Sequence, residues 1–344
     1  MKTRKNKSLP VIRKEIARKG PLLNQIHAAR QAVRGYTTVP VEQRGDAAVP
    51  LRAMLAAAPA KRTFKLLAQG DSWFDYAPGT DLIDCLHAHH GHTITNLAVG
   101  GSTLNDEAYG PVPREFFGLG FPQSDDPDRI TELVHHIRQV RPQALLLSAG
   151  GNDIAGDEFF SFVNNARSGL ASVNAEVLTG GVNGTFKTAY TYLIETALAA
   201  AADAGLTMPI FTHGYDYPWP DGRGLIAFLG WKVGPWFDDT FTHKNYPYED
   251  DDTAQLRARH DIVAQFIDAL NTMLRGLASA HPGKSFTSIS PARCNPRTNG
   301  PTSCTRVTPA SPRSPARSTR PCRPTCPSQP TPRFPRSPPN PINP

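Results

Sequence analysis

The chain has 344 residues, with 37 Lys+Arg against 30 Asp+Glu, 33 Pro, 27 Gly and 5 Cys. That length suits one large domain or two small ones, and a hydrophobic content of 39% excludes a wholly disordered chain. No apolar run approaches the roughly 18 residues of a membrane span.

The charged start is not followed by an apolar segment, so no secretory signal is read and a cytoplasmic location is the default expectation. Five cysteines in that setting do not read as a disulfide framework. The net charge of +7 is unevenly spread. Residues 1–62 carry 14 basic and 3 acidic side chains, residues 63–284 carry 14 and 27, and residues 285–344 carry 9 Arg and no acid. An acidic body between two basic ends argues against nucleic acid as the partner, because the high overall pI belongs to the ends alone.

Residues 1–62 read as a basic, partly helical N-terminal arm. Leu23, Ile26 and Val33 recur at roughly helical spacing, and Pro10, Pro21, Pro40 and Pro50 interrupt. The expectation is a solvated arm packed loosely on the body; contact with a polyanion or a membrane surface is the sharper alternative.

Residues 63–284 alternate strand-like and helix-like segments. Phe64–Gln69 is a short apolar run, Asp81–His89 a short helix, and Thr93–Val99 a second strand. Asp128–Gln139 places Ile130, Leu133, Val134 and Ile137 on one helical face. Ala144–Ser148 and Met208–Thr212 are further strands, Ala189–Ala204 is an Ala-rich helix, and Thr253–Ala280 is a long amphipathic helix behind an acidic run. This alternation predicts a parallel sheet with helices on both faces. Ligand sites in such sheets lie at the carboxyl ends of the strands. Ala155–Lys187, with Gly180, Gly181 and Gly184, is read either as a lid or as a structural insertion.

Residues 285–344 differ in kind. They contain no Leu, Asp, Glu or Lys, but 16 of the prolines and Cys294, Cys304, Cys322 and Cys326. Such a composition cannot bury enough apolar surface to fold alone. Cys322 and Cys326 are close, but no histidine follows His281, so no zinc site is read there. Elsewhere, the His89–His92 cluster, His135, His136 and His243 lack metal-ligand spacing, and no cofactor is expected.

Three strand ends carry the chemistry. The first runs into Gly70-Asp71-Ser72-Trp73, where a serine hydroxyl can stand at the sheet edge beside backbone N–H donors. The second gives Asn96 through Gly100, Gly101 and Ser102, and glycine there lets backbone N–H groups approach a ligand. The third gives Gly150-Gly151-Asn152-Asp153, whose asparagine amide suits a developing negative oxygen.

Together these turns resemble the SGNH hydrolase family, the GDSL-like lipases and esterases, over about residues 63–284. The resemblance implies a three-layer α/β/α sandwich with five parallel strands in the order 2-1-3-4-5. It implies Ser72 as nucleophile, and an oxyanion hole from the Ser72 N–H, the Gly101 N–H and the Asn152 amide. Gly101 is chosen over Gly100 because it lies five residues after Asn96, as in the family's spacing. Trp73 stands where the family name has Leu. Neither G-x-S-x-G nor a Walker or dinucleotide glycine motif occurs.

The family's late D-x-x-H segment, which supplies the base, is absent. Asp84 through His87 matches literally but lies on the first helix, in the wrong order. His213, ending the fourth strand, is a substitute base or a pocket-wall histidine. Tyr215, Tyr217, Trp219 and Trp236 are candidate pocket walls or core residues. The tail has the composition of a GC-rich gene read out of frame. Taking the last base of each codon with the first two of the next, Thr298–Arg306 can encode an Asn- or Asp-Glu-Leu-His quartet. A stretch from Lys284 can likewise encode an apolar strand. The reading is therefore a frameshift near Lys284, an out-of-frame tail and a lost fifth strand. The function expected is a serine ester hydrolase acting on a small-molecule, lipid or carbohydrate ester. It would be nearly inactive as written. A non-catalytic binding protein on the same scaffold is the alternative.

Overall fold

A computed structural model of the chain describes residues 6–37, 63–76, 81–113, 125–155, 158–221, 226–228, 231–233, 237–249 and 252–288. All of them belong to one compact unit. Helix α1 spans Leu9–Thr37. Strand β1 (Lys65–Gly70), helix α2 (Leu82–His90), strand β2 (Thr93–Asn96) and helices α3 (Leu104–Tyr109) and α4 (Arg129–Val140) follow. Next come β3 (Ala144–Ser148), α5 (Gly151–Ala155), α6 (Phe159–Phe162), α7 (Ala175–Thr179), α8 (Lys187–Asp203) and β4 (Ile210–His213). A hairpin of β5 (Ile226–Phe228) and β6 (Trp231–Val233), helices α9 (Asp238–His243) and α10 (Thr253–Ala280), and β7 (Ser285–Ser288) complete the described elements.

The main sheet is parallel and five-stranded, in the order β2-β1-β3-β4-β7. Counted along the sheet strands alone, this is 2-1-3-4-5. One expectation is corrected here. The fifth strand is not lost, because Ser285–Ser288 pairs in register with Ile210–His213. The letters of this frame still alternate a buried Ser285 with the ring of Phe286, which suffices for an edge strand.

Local signals set the helix ends. Asp81 and Asp84 form a reciprocal capping box at α2, and Gly91 closes it at φ 67°. Asp252 accepts the Ala254 and Gln255 N–H groups at the start of α10. The amphipathic faces of α4, α8 and α10 meet the sheet face bearing Leu67, Leu145, Leu147 and Ile210 in one core. The opposite face is covered over β1 and β2 by α2 and Phe74, which pack on Ala68, Ala98 and Leu146. Further along that face, Phe211 and Phe286 stack at 5.3 Å and Phe211 is 42% exposed. Among the described residues this part of the face is thus partly open, although parallel sheets are ordinarily buried on both faces.

Residues Ala155–Lys187 are a structural insertion rather than a lid. Phe159, Phe162, Leu178, Val182 and Phe186 are all buried in the main core. Helix α1 also departs from a loosely packed arm. It runs through Pro21, and Ile12, Leu23 and Ile26 are buried. A mid-helix proline costs about 3 kcal/mol, which this docking offsets. Much of the arm's charge is spent on the acidic body: Arg13 pairs with Asp203, Lys7 with Asp128, and Arg30 with Glu132. Glu132 is wholly buried and also faces Arg129, which bonds Glu107 at 2.6 Å. Burial alone would raise the Glu132 pKa; Arg30 and Arg129 hold it below the usual carboxylate range. For Glu107 burial prevails over Arg129 and pushes the carboxyl up to about 7.

Glu132→Gln keeps the shape and removes the charge between two buried guanidinium groups. It should cost about 3–5 kcal/mol in urea unfolding. Phe211→Thr should change stability by under about 1 kcal/mol, as a surface substitution does, and should slow aggregation measured by light scattering.

Candidate active site

The strands point their carboxyl ends to one edge, and three turns meet there. Gly70 pairs with Ser148 across β1 and β3. A Cβ at Gly70 would lie 2.6 Å from the Ser148 carbonyl oxygen, so only glycine lets the strands close at this point. Asp71 follows. Its Oδ1 accepts the Ser148 hydroxyl at 2.6 Å and the Trp73 N–H at 3.0 Å, and its Oδ2 accepts the Tyr215 hydroxyl at 3.3 Å. Ser72 sits between these anchored neighbours and is half-buried. Among the described residues its hydroxyl has no hydrogen-bond partner.

The second turn is tied to the first. Asn96 Nδ2 donates to the Phe74 carbonyl at 2.5 Å, and the Gly100 N–H donates to Asp75 Oδ2 at 3.1 Å. Gly101 lies at φ 84°, in the left-handed region, and is exposed. The third turn is tied to the second. Asn152 Nδ2 donates to the Ser102 carbonyl at 2.8 Å, and Asp153 Oδ2 accepts the Leu104 N–H at 2.8 Å. An amide nitrogen carries two hydrogens, so Asn152 keeps one donor beyond the Ser102 bond. Tyr215 closes the ring: its hydroxyl accepts the Gly151 N–H at 3.1 Å and donates to Asp71. The turns bearing Ser72, Gly101 and Asn152 are therefore joined by a circuit of hydrogen bonds.

His213 lies at this edge but faces elsewhere. Its Nδ1 is 3.1 Å from the Gly214 carbonyl, which can only accept, and its Nε2 is 2.7 Å from Ser148 Oγ. The single Ser148 hydroxyl hydrogen has two neighbours able to take it, His213 and Asp71. Burial lowers the His213 pKa and outweighs the Asp71 charge and the Gly214 bond, which raise it. Its ring packs 5.5 Å from Trp73, 5.7 Å from Phe74 and 5.1 Å from Tyr215.

The candidate wall residues separate. Tyr215 is buried beneath the turns, and the Asn271 side chain brackets its backbone N–H and carbonyl. Tyr217 bonds Asp268 on α10, and Trp219 stacks on His260 at 4.1 Å, so both lean on that helix. Trp236 lies outside the described residues. Sequence reasoning missed Asp71, Ser148 and Asp153, whose buried polar side chains hold the turns. Aspartate next to a turn serine was a visible signal; the other two required the fold. Among the described residues no cluster of His, Cys, Asp or Glu could hold a metal ion.

No protein-family model matches the chain, and no curated protein sequence matches it. Solved structures similar to it include an extracellular lipase from Streptomyces rimosus, at 12% identity and TM-score 0.35, covering 65% of this chain and 80% of that one. A carbohydrate acetylesterase from Sinorhizobium meliloti is similar at 13% identity and TM-score 0.35, covering 65% of this chain and 83% of that one.

Burial pushes Asp153 up to about 6, against the pull of the Leu104 N–H. Its native pKa thus exceeds the unfolded value of about 3.9, and the native state holds a proton that the unfolded chain has released. Stability therefore falls as pH rises from about 4 to about 6, by up to roughly 3 kcal/mol. Asp153→Asn keeps an acceptor for Leu104 and removes the titration. In urea melts across that window, the variant should gain on the wild type as pH rises.

Proposed function

We propose that the chain is an SGNH-type serine ester hydrolase with Ser72 as nucleophile, and that the version described by this sequence lacks its base. The observation that carries the reading is the circuit of hydrogen bonds that brings an unpartnered serine hydroxyl, a left-handed glycine and an asparagine amide to one sheet edge. Ser72 Oγ would attack an ester carbonyl. The Ser72 and Gly101 N–H groups and the free Asn152 N–H would receive the oxyanion, in a site whose donors are already oriented. The Ser72 proton would pass by way of the base to the leaving alcohol as the ester C–O bond breaks, and water would then cleave the acyl-serine to the acid and regenerate the Ser72 hydroxyl.

Serine needs a base to do this at a useful rate. Among the described residues no imidazole is hydrogen-bonded to Ser72, and His213 is committed to Ser148 and Gly214. The base would be the histidine of the quartet that the shifted frame beyond β7 can encode. That strand runs parallel to β4, so the chain leaves it at the edge where Ser72 stands. The exposure of Phe211 among the described residues favours the same reading, since a normal continuation would supply a covering layer. The fifth strand itself does not need the shifted frame.

Removing a triad histidine costs on the order of a million-fold in kcat in a well-studied serine hydrolase. The chain as written should hydrolyse p-nitrophenyl acetate at close to background. A chain with the frame restored should turn it over, and Ser72→Ala in that chain should abolish turnover. Two results overturn the reading. One is a gene whose shifted frame lacks the quartet; the other is turnover by the frame-restored chain that Ser72→Ala leaves unchanged. Ligand affinity indifferent to Ser72→Ala, with no turnover, would support a non-catalytic binding protein.

A further inference from the structure

Helix α1 ends against the turns of the candidate site. Arg34, in its last turn, donates from Nε to Asp75 Oδ1 at 2.9 Å. Its two terminal nitrogens donate to the Asn96 carbonyl at 3.2 Å and the Ala98 carbonyl at 2.9 Å. Gln31, one position along the helix face, adds a bond to the same Asn96 carbonyl at 2.9 Å. The guanidinium thus uses its planar fork on a carboxylate and two backbone oxygens at once, which a lysine cannot do. Asp75 is 7% exposed and holds Arg34 through one oxygen and the Gly100 N–H through the other. Gly100 is pressed close: a Cβ there would lie 2.9 Å from the Asp75 carbonyl oxygen. The Val99–Gly100 peptide, the one before that bearing the Gly101 N–H, is therefore gripped from one side by a carboxylate that Arg34 orients.

We propose that Arg34 is a positioning residue: through Asp75 it fixes the Gly100–Gly101 turn and so the aim of the Gly101 N–H. This rests on the reading of Ser72 and Gly101 as nucleophile and oxyanion donor. It gives the N-terminal helix a part in the site, beyond packing. Arg34 and Asp75 touch no substrate; they act on the direction of one donor. A donor misaimed by about an ångström loses much of its value to the tetrahedral oxygen.

The test uses the full chain and phenylboronic acid, which forms a tetrahedral serine adduct without turnover. Boron NMR reads the adduct, and spectra of nitrogen-labelled glycine read the Gly101 amide. The wild type should form an adduct that Ser72→Ala abolishes, with the Gly101 amide shifted downfield. Arg34→Gln should weaken the adduct about ten-fold or more and lose the Gly101 shift, with the urea midpoint of the α4 and α10 core retained. Arg34→Lys should recover little. Asp75→Asn keeps the shape and breaks the bridge, so it should reproduce the loss if Arg34→Gln fails to fold. Equal adduct affinity and an unaltered Gly101 shift in a folded Arg34→Gln or Asp75→Asn protein would overturn the proposal. No Ser72-dependent adduct in either this chain or the frame-restored one would instead overturn the nucleophile reading, and this inference with it.

Discussion

One buried carboxylate holds the working edge of this sheet together. Asp71 accepts hydrogen bonds from the Trp73 backbone, from Ser148 at the end of β3 and from Tyr215 beyond β4. Three chain segments that are far apart in sequence thereby share one acceptor. So deeply buried a carboxyl group is tolerated only where its oxygens find donors. Each donor is committed by its own surroundings, because Tyr215 also receives the Gly151 N–H and Ser148 also meets His213. Ser72 inherits its position from this arrangement: the residue before it and the residue after it are both pinned, while its own hydroxyl is left unbonded among the described residues.

A second polar system, away from the edge, seats the N-terminal helix. Part of the charge imbalance along the chain is settled by Arg13 and Arg30 of α1, and Lys7 just before it, against carboxylates of α4, the α4 cap and the end of α8. The buried Arg30, Glu132, Arg129 and Glu107 form a run of alternating sign. Such runs add little net stability over a well-packed apolar contact, but they tolerate few alternative registers. This is why a helix with modest apolar content, and a proline within it, nonetheless lies in one place.

Much of this was legible in the letters. The β3 and α10 boundaries follow from Ala144–Ser148 and Thr253–Ala280 as read, because an apolar run and a long helical period are strong local signals. The strand order follows from the resemblance carried by the three turns. What the letters hid were effects of tertiary contact. Pro21 reads as a breaker until Ile12, Leu23 and Ile26 are seen to be buried. The glycine-rich stretch from Ala155 to Lys187 reads equally as a lid or a structural insertion until its phenylalanines are found in the core. The β7 strand, with only Phe286 as an apolar residue, is too short and polar to declare itself without β4 beside it. At the site, Ser72, Gly101 and Asn152 were visible as turn chemistry, whereas the Ser148 hydroxyl and the Asp153 carboxylate gain meaning only from groups tens of residues away.

The docking of α1 also dictates an order of assembly. Arg30 and its partner Glu132 are 102 positions apart, and Arg34 waits for Asp75 and the turn beyond β2. During synthesis at roughly 5–20 residues per second, helix α1 has no seat for several seconds after it leaves the ribosome. Closing so long a loop carries an entropic cost that no local contact repays in advance. The helix is thus fixed well after the segments between it and α4 have been made. Throughout that interval its basic face and the acidic body are exposed to other partners in the cell.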